Sequence, residues 1–182
     1  MRPQSLVSLL LLLTLTQCSK CKDDPAPRKP EDRLPAATQT GANTFGCLLN
    51  GQPWTPQGDF SRPGLVVSYD PGFGGGSLLV RATRIVNGER QYLSFGGGDI
   101  VTTGTYLMAT GTNKNADYSD TGRPSPCDYY WDGSPGISCK GSLTITRLDV
   151  GAGVISGTFE FVLHQPGCDT IKVTHGRFDK QL

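Results

Sequence analysis

The sequence predicts an all-β domain, an antiparallel β-sandwich or flattened barrel of about eight to ten strands. Short segments rich in Val, Ile, Thr, Tyr and Phe alternate with turn residues, and the 182 residues include 24 glycines and 13 prolines. After residue 40, no ten-residue segment shows the 3.6-residue apolar period of a helix. Two Asn-Gly pairs, Asn50-Gly51 and Asn87-Gly88, predict hairpins because both residue types tolerate the positive φ angles of a type I′ turn.

The strands are predicted in chain order from these signals. The first hairpin joins segments 44–49 and 52–55, and the second joins segments 78–86 and 89–95. Further strands are predicted at residues 65–69, 105–110, 128–131, 142–148, 154–163 and 170–178. Between the sixth and seventh of these segments, residues 117–122 are predicted to form a polar turn, because they lack the full ligand pattern of a calcium loop.

The last two strands carry the clearest alternation. Phe159 and Phe161 share one face of segment 154–163, while Thr158 and Glu160 share the other, which is typical of an antiparallel sheet with one solvated face. Gly176 interrupts the alternation in the last strand and predicts a bulge there. Trp54, after the first hairpin, is expected in the core.

The N-terminal residues predict export and lipidation. Arg2 precedes an apolar run over residues 6–16 that is about half the ~20 residues of a membrane-spanning helix, as in a signal peptide. The run ends at Leu15-Thr16-Gln17-Cys18, which resembles the lipobox of bacterial lipoproteins. Residues 1–17 are therefore predicted to be the signal peptide and Cys18 the lipidated residue. Ordinary secretion is the alternative.

A tether is predicted between the anchor and the domain. Residues 18–40 are rich in proline and charge, which predicts a flexible spacer, and residues 41–182 are predicted to form one domain. Lys22-Asp23-Asp24 resembles the acidic signal that directs some lipoproteins of the Bacteroidota to the cell surface. The predicted location is the bacterial outer membrane, on either its surface or its periplasmic face.

The six cysteines indicate an oxidising compartment. With Cys18 lipidated and Cys21 in the spacer, two disulfides are predicted among the remaining four, with three possible pairings. The favoured pairs are Cys127 with Cys139, which bracket a turn-rich segment, and Cys47 with Cys168, which lie on or beside the first and last strands. Their spacing does not match a zinc module, so no metal site is predicted.

Four neighbouring residues form the candidate ligand site. Asp128, Tyr129, Tyr130 and Trp131 combine aromatic rings with a carboxylate, the surface on which a sugar ring stacks. Alternation places Tyr129 and Trp131 on one face and Tyr130 on the other. The alternative is a core face with an edge tyrosine.

Two ends of the domain resemble a known family. Residues 40–47 (TGANTFGC), 50–54 (NGQPW), 157–161 (GTFEF) and 173–179 (VTHGRFD) resemble a family of Bacteroidota lipoproteins of unknown function. The resemblance implies lipoprotein status and an all-β domain, and it brings no activity, substrate or catalytic residue. An acidic residue is common in that family where His175 stands here.

The predicted function is non-enzymatic binding or scaffolding in the cell envelope, without a cofactor. A net charge of +1 with no basic cluster in the domain disfavours nucleic acid as a partner, which leaves the membrane, a glycan or an envelope protein. No nucleophile elbow or distinct carboxylate pair indicates catalysis. The alternatives are a carbohydrate-binding module that uses its exposed aromatic residues and a β-sandwich hydrolase with two acids.

Overall fold

A computed structural model describes residues 29–58, 63–123, 127–130 and 136–182. The strands within these ranges are β1 (Thr44–Leu49), β2 (Gln52–Trp54), β3 (Leu65–Asp70), β4 (Ser77–Val86), β5 (Glu89–Gly97), β6 (Gly104–Ala109), β7 (Lys114–Asp120), β8 (Ser138–Asp149), β9 (Val154–His164) and β10 (Ile171–Gln181). A short 3-10 helix, Pro30–Arg33, precedes them. The predicted signal peptide, Cys18 and Cys21 lie outside the described residues.

The strands form two antiparallel sheets. The six-stranded sheet has the order β2-β1-β10-β9-β8-β6, and the four-stranded sheet has the order β3-β4-β5-β7. The chain passes from one sheet to the other between β6 and β7. The predicted all-β class is confirmed, and the two separate sheets make the fold a sandwich.

Both predicted hairpins are present. Asn50 and Gly51 have φ angles of 48° and 80° between β1 and β2, and Asn87 and Gly88 have φ angles of 54° and 84° between β4 and β5. These positive angles are what a two-residue type I′ turn requires. The turns set the register of strands that bury alternate residues, so they also determine which side chains reach the core.

Strand β7 was not predicted, because its residues are mostly polar. Tyr118 faces the core and is 1% exposed, while Asp117 and Asp120 lie on either side of it. Ser94 donates a hydrogen bond to Asp117 (2.9 Å), and Gln91 donates one to Asp120 (3.0 Å). The carboxylates that suggested a turn are therefore paired with polar side chains of β5.

The core lies between the two sheets and is centred on aromatic residues. The ring centroids of Phe95, from the four-stranded sheet, and Phe159, from the six-stranded sheet, are 4.2 Å apart. Trp54 is 2% exposed and donates its indole N–H to Gln91 at 2.7 Å, so its predicted place in the core is confirmed. Aromatic pairs of this kind add about 0.5–1.5 kcal/mol each to the free energy gained from burial alone.

Residues 34–42, which we call the strap, lie on the outer face of the six-stranded sheet. Leu34 is 8% exposed, Arg147 donates a hydrogen bond to the carbonyl of Gln39 (2.6 Å), and Arg177 donates one to the carbonyl of Pro35 (3.3 Å). The prediction of a flexible spacer up to residue 40 is therefore wrong for the strap. Its backbone groups find partners in the domain that no local composition reveals.

One carboxylate holds most of the strap. Asp179, on β10, is 1% exposed and accepts hydrogen bonds from the Thr38 hydroxyl (2.7 Å) and from the backbone N–H groups of Thr40, Gly41 and Ala42 (2.8–3.0 Å). The hydroxyl of Ser156, on β9, donates a fifth at 2.6 Å. Burial by itself would raise the pKa of Asp179, but these hydrogen bonds, led by those from Ser156 and Thr38, hold it well below its usual range.

The predicted bulge in the last strand is confirmed. The pairing of β10 with β9 shifts register between Val173 and Gly176, and His175 within that shift has a φ angle of 54°. Gly176 faces the core, where an added Cβ would lie 2.5 Å from the ring of Phe159. The absence of a side chain at Gly176 therefore allows Phe159 to pack against β10.

The predicted disulfide pairing is wrong. Cys127 bonds to Cys168, with their Cα atoms 5.6 Å apart, while Cys47 and Cys139 are free and buried. The two bonded cysteines meet because Tyr129 donates its hydroxyl hydrogen bond to the carbonyl of Asp169, which fixes residues 127–130 beside the loop that leads into β10.

Strand direction explains why Cys47 does not reach Cys168. β1 and β10 are neighbours, as predicted, but they are antiparallel and pair Leu49 with Val173. Cys168 precedes β10 and so lies beyond the far end of β1, about 20 Å from Cys47 at the rise of a strand. Cys139 lies on β8, three strand spacings from Cys47, so these two thiols exceed the ~7 Å Cα separation limit of a disulfide.

Candidate functional site

Tyr129 lies in the core and not at a ligand site. Its side chain is fully buried, its backbone pairs with that of Tyr118, and burial raises the pKa of its hydroxyl. No ring face remains for a sugar, so the predicted binding role of Tyr129 is wrong. The predicted strand 128–131 is reduced, over its described residues, to this one isolated bridge.

Tyr130 points outward and forms a small aromatic surface. It is 42% exposed, and its ring centroid lies 6.2 Å from that of Tyr92 on β5. The guanidinium carbon of Arg81 lies 5.3 Å from the Tyr92 centroid, within range of a cation–π contact. We call Arg81, Tyr92 and Tyr130 the tyrosine patch. Asp128 is exposed, and Trp131 lies outside the described residues.

A larger concave site lies on the opposite sheet. The outer face of the six-stranded sheet carries an open groove of about 560 Å³. Its polar lining comes from β8, β9 and β10 and comprises Ser142, Thr144, Thr158, Glu160, Thr174, His175 and Arg177. The strap contributes Ala37 to one wall. Strands of the domain therefore form the floor, and the residues leading into the domain close one end.

The strand register arranges these side chains in two rows. Ser142 pairs with Glu160, and in the next row Thr144 pairs with Thr158, which in turn pairs with Arg177 on β10. Within each row, neighbouring strands are about 4.8 Å apart, while rows on one face repeat about every 6.6 Å along the strand. The floor is thus a short grid of hydroxyl groups with a carboxylate in one row and a guanidinium in the other.

Two bulges shape the groove. β10 shifts register between Val173 and Gly176, and β8 shifts between Ile145 and Arg147. A bulge bends its strand and increases the local twist, and two bulges on either side of β9 curve the sheet around that strand. The second bulge also turns Arg147 toward the strap, to which it donates a hydrogen bond.

Glu160 occupies the centre of the floor. Its side chain is exposed, and within the described part of the chain its carboxylate forms no hydrogen bond or ion pair. Arg177, by contrast, is held in place: its Nε donates to the carbonyl of His175 (3.2 Å), and Nη1 donates to the strap. The groove therefore combines one positioned cation with one carboxylate that is available to a ligand.

The groove continues toward two lysines. An adjoining hollow of about 400 Å³ shares Glu160 and Thr174 with the groove and is lined by Lys140, Val162 and Lys172. Lys140 pairs across to Val162, and Val162 pairs across to Lys172, so the lysines stand on either side of β9 in one row. Both are exposed.

The chemistry of this surface favours binding over bond cleavage. Hydroxyl groups donate and accept, Glu160 accepts, and Arg177 and the lysines donate. Glycoside hydrolysis needs two carboxyl groups about 5–10 Å apart, whereas Glu160 is the single acidic residue among the described residues that line the groove and its extension. Within the four described ranges, no three His, Cys, Asp or Glu side chains are grouped to hold a metal ion.

The two histidines do not form a joint site. His164, at the end of β9, and His175, in the bulge of β10, are both exposed. His175 lines the groove, and its backbone carbonyl positions Arg177. The bulge is the reason that His175 leaves the inward parity of Ile171 and Val173.

A partial signal for the groove was present in the sequence. The polar alternation of Thr158 and Glu160 marks a solvated face of β9, but nothing local says which strands lie beside it. That grouping depends on the strand order and on the strap, both of which join residues far apart in the chain.

No helix among the described residues is long and apolar enough to cross a membrane. A comparison with known proteins found no family model, curated protein or solved structure that matches this chain. The resemblance to the Bacteroidota lipoproteins therefore stays a prediction from the motifs alone.

Proposed function

We propose that this protein is a lipid-anchored, non-enzymatic binding module of the bacterial outer membrane, and that it binds saccharide along the groove. Export and lipidation at Cys18 are supported by the sequence of the first 18 residues. Two or more acyl chains would anchor the chain stably, since each buried CH₂ contributes about 0.8 kcal/mol. The surface or the periplasmic face remains the proposed location.

One observation carries the binding role: an unpaired carboxylate lies among hydroxyl groups on a concave, uncapped sheet face. A saccharide presents several hydroxyl groups from a rigid ring, and Ser, Thr, carboxylate and guanidinium groups match them as donors and acceptors. Strands hold these side chains in fixed positions, so little conformational entropy is lost when a ligand binds.

Binding can be tested with the exported chain and a panel of oligosaccharides. Titration calorimetry gives the affinity, and a thermal shift confirms it, since a ligand at 100 times its Kd stabilises the fold by about 2.7 kcal/mol. Glu160→Gln removes a charged acceptor, a loss of about 1.5–3 kcal/mol, and should weaken binding about 10- to 100-fold.

The tyrosine patch is a second candidate site for the same ligand class, favoured by the exposed ring of Tyr130 beside Tyr92 and Arg81. Tyr130→Ala, on the opposite sheet, is therefore the matched control for Glu160→Gln. Loss of binding in Glu160→Gln alone places the ligand in the groove, and loss in Tyr130→Ala alone places it on the patch. A panel without any bound saccharide refutes the proposed function.

Two further measurements test the remaining parts of the proposal. Release of sugar products from any bound oligosaccharide by the pure protein would show that it is an enzyme. Mass spectrometry of the mature chain should show acyl groups on Cys18, and Cys18→Ser should release the protein from the membrane. An unmodified Cys18 would contradict the anchor.

A further inference from the structure

We infer that the groove selects an acidic saccharide, with a sugar carboxylate held between Lys140 and Lys172. This inference rests on the proposed saccharide-binding function and adds the charge of the ligand. It begins from the distribution of charged side chains over the outer face of the six-stranded sheet.

The cations of this face are concentrated along the groove. Lys140 and Lys172 line its extension, and His175 and Arg177 line its other end, against the single acid Glu160. The other charged residues near this face are already engaged: Asp179 lies under the strap, and Arg147 pairs with Asp149 at 2.9 Å. A chain of nearly balanced charge, +1 overall, thus presents a cationic groove.

The two lysines have no partner among the described residues. The ion pairs of the domain lie elsewhere and join Lys114 to Asp99, Arg123 to Asp120 and Asp169, and Arg147 to Asp149. Lys140 and Lys172 are excluded from all of them, and neither forms a hydrogen bond through its ammonium group. Two ammonium groups that flank one hollow repel each other unless an anion lies between them.

The row order sets where the anion can bind. Lys140 and Lys172 share a row with Val162, and Glu160 follows in the next row, about 6.6 Å further along β9. The Glu160 carboxylate repels a second anion at the centre and accepts hydrogen bonds from neutral hydroxyl groups. A fitting ligand therefore places its carboxylate in the lysine row and an uncharged sugar hydroxyl over Glu160.

Matched ligands separate this inference from the general function. We would titrate the full chain, purified in a non-ionic detergent, with oligogalacturonate, alginate oligomers and hyaluronan hexasaccharide, and with the methyl ester of each. The ester keeps the sugar and removes the charge. The acid should bind at least tenfold more tightly than its ester at 50 mM salt, and the difference should shrink at 300 mM because salt screens exposed charges.

Variants then locate the selectivity. Lys140→Gln with Lys172→Gln should reduce binding of the acid at least tenfold and leave binding of the ester unchanged. The charge-matched control is Arg84→Gln with Arg90→Gln, which removes two cations from the opposite sheet and should change neither.

Each remaining outcome overturns the inference. Equal binding of acid and ester, with both lost in Glu160→Gln, refutes the acidic ligand and leaves the saccharide function standing. Preference for the acid that survives Lys140→Gln with Lys172→Gln refutes the lysine row as its site. Binding of neither form refutes the inference and the proposed function together.

Discussion

Replacing Asp179 by asparagine tests the role of the strap most directly. The wild-type carboxylate accepts five hydrogen bonds of 2.6–3.0 Å: Oδ2 accepts those of Thr38, Thr40 and Ala42, and Oδ1 accepts those of Gly41 and Ser156. Asparagine has nearly the same shape but only one acceptor oxygen. Its NH₂ group has to face donors that have nowhere else to turn.

The cost follows from this count. If the amide oxygen takes the place of Oδ2, the NH₂ group faces the N–H of Gly41, and one unsatisfied buried donor costs about 1–3 kcal/mol. The three bonds that remain become neutral, and each loses about half of its strength. The expected loss of unfolding free energy is about 3 kcal/mol, which lowers Tm by about 10 °C in a domain of this size.

Urea unfolding followed by circular dichroism at pH 7 measures the loss. Amide hydrogen exchange gives a local measurement: Thr40, Gly41 and Ala42 should exchange faster in Asp179→Asn while the strands stay protected. Asp128→Asn, at an exposed carboxylate, is the control and should leave Tm unchanged. A loss below about 1 kcal/mol would show that the carboxylate does not hold the strap.

The pH dependence gives the sign of the electrostatic part. The pKa of Asp179 is lowered in the folded state, so its stabilisation is complete above the unfolded pKa of about 3.9 and is lost as pH falls below that value. The difference in stability between wild type and Asp179→Asn should therefore be constant at neutral pH and shrink in acid. A difference that grows in acid would contradict the assignment.

The other predictions concern the cysteines and the contact beneath the strap. Replacing Cys127 and Cys168 by serine opens a loop of 41 residues and should cost about 4 kcal/mol by the chain-entropy model; a loss near zero in urea unfolding would contradict this. Burial raises the pKa of the Cys47 thiol to about 12 and also raises that of Cys139, so with the N-terminal cysteines replaced both should react with Ellman's reagent only after unfolding. Rapid labelling of the native chain would show that they are accessible. Gly46→Ala adds a methyl group 2.7 Å from a proline ring of the strap and should speed amide exchange there, and unchanged exchange would argue against that contact.

Local chemistry was enough to predict much of the fold. Asn50-Gly51 and Asn87-Gly88 determine their own backbone angles, so both hairpins could be predicted. The alternation of Phe159 and Phe161 with Thr158 likewise showed which face of β9 is buried. These signals lie within a few residues of the structure they specify.

The remaining features depend on contacts between distant residues. The strap is ordered by Asp179, 141 residues after Thr38, and a composition rich in proline and charge gives no sign of it. The partner of Cys127 depends on where Tyr129 brings the chain beside the last loop. Tyr118 was overlooked because the aspartates around it resemble a turn until β5 supplies their partners.

The candidate site divides in the same way. The exposed Tyr130 and buried Tyr129 follow from strand alternation, which the sequence shows, but the buried member could not be chosen without knowing the position of the core. The groove needs three strands, two bulges and the strap. Its residues are ordinary Ser, Thr, Lys and Glu, whose joint position is the only distinctive feature.

The strap also determines how the domain bears a mechanical load. Were the chain to enter β1 directly, a pull on its N-terminal side would open the β1–β10 ladder one residue pair at a time, like a zipper. The bonds at Asp179 converge instead on a single carboxylate and share the force, so they have to break together. Because β10 lies between β1 and β9, the force enters a strand with neighbours on both sides. A domain held in this way resists shear where a zipper would peel, and the groove beside the strap keeps its shape under tension.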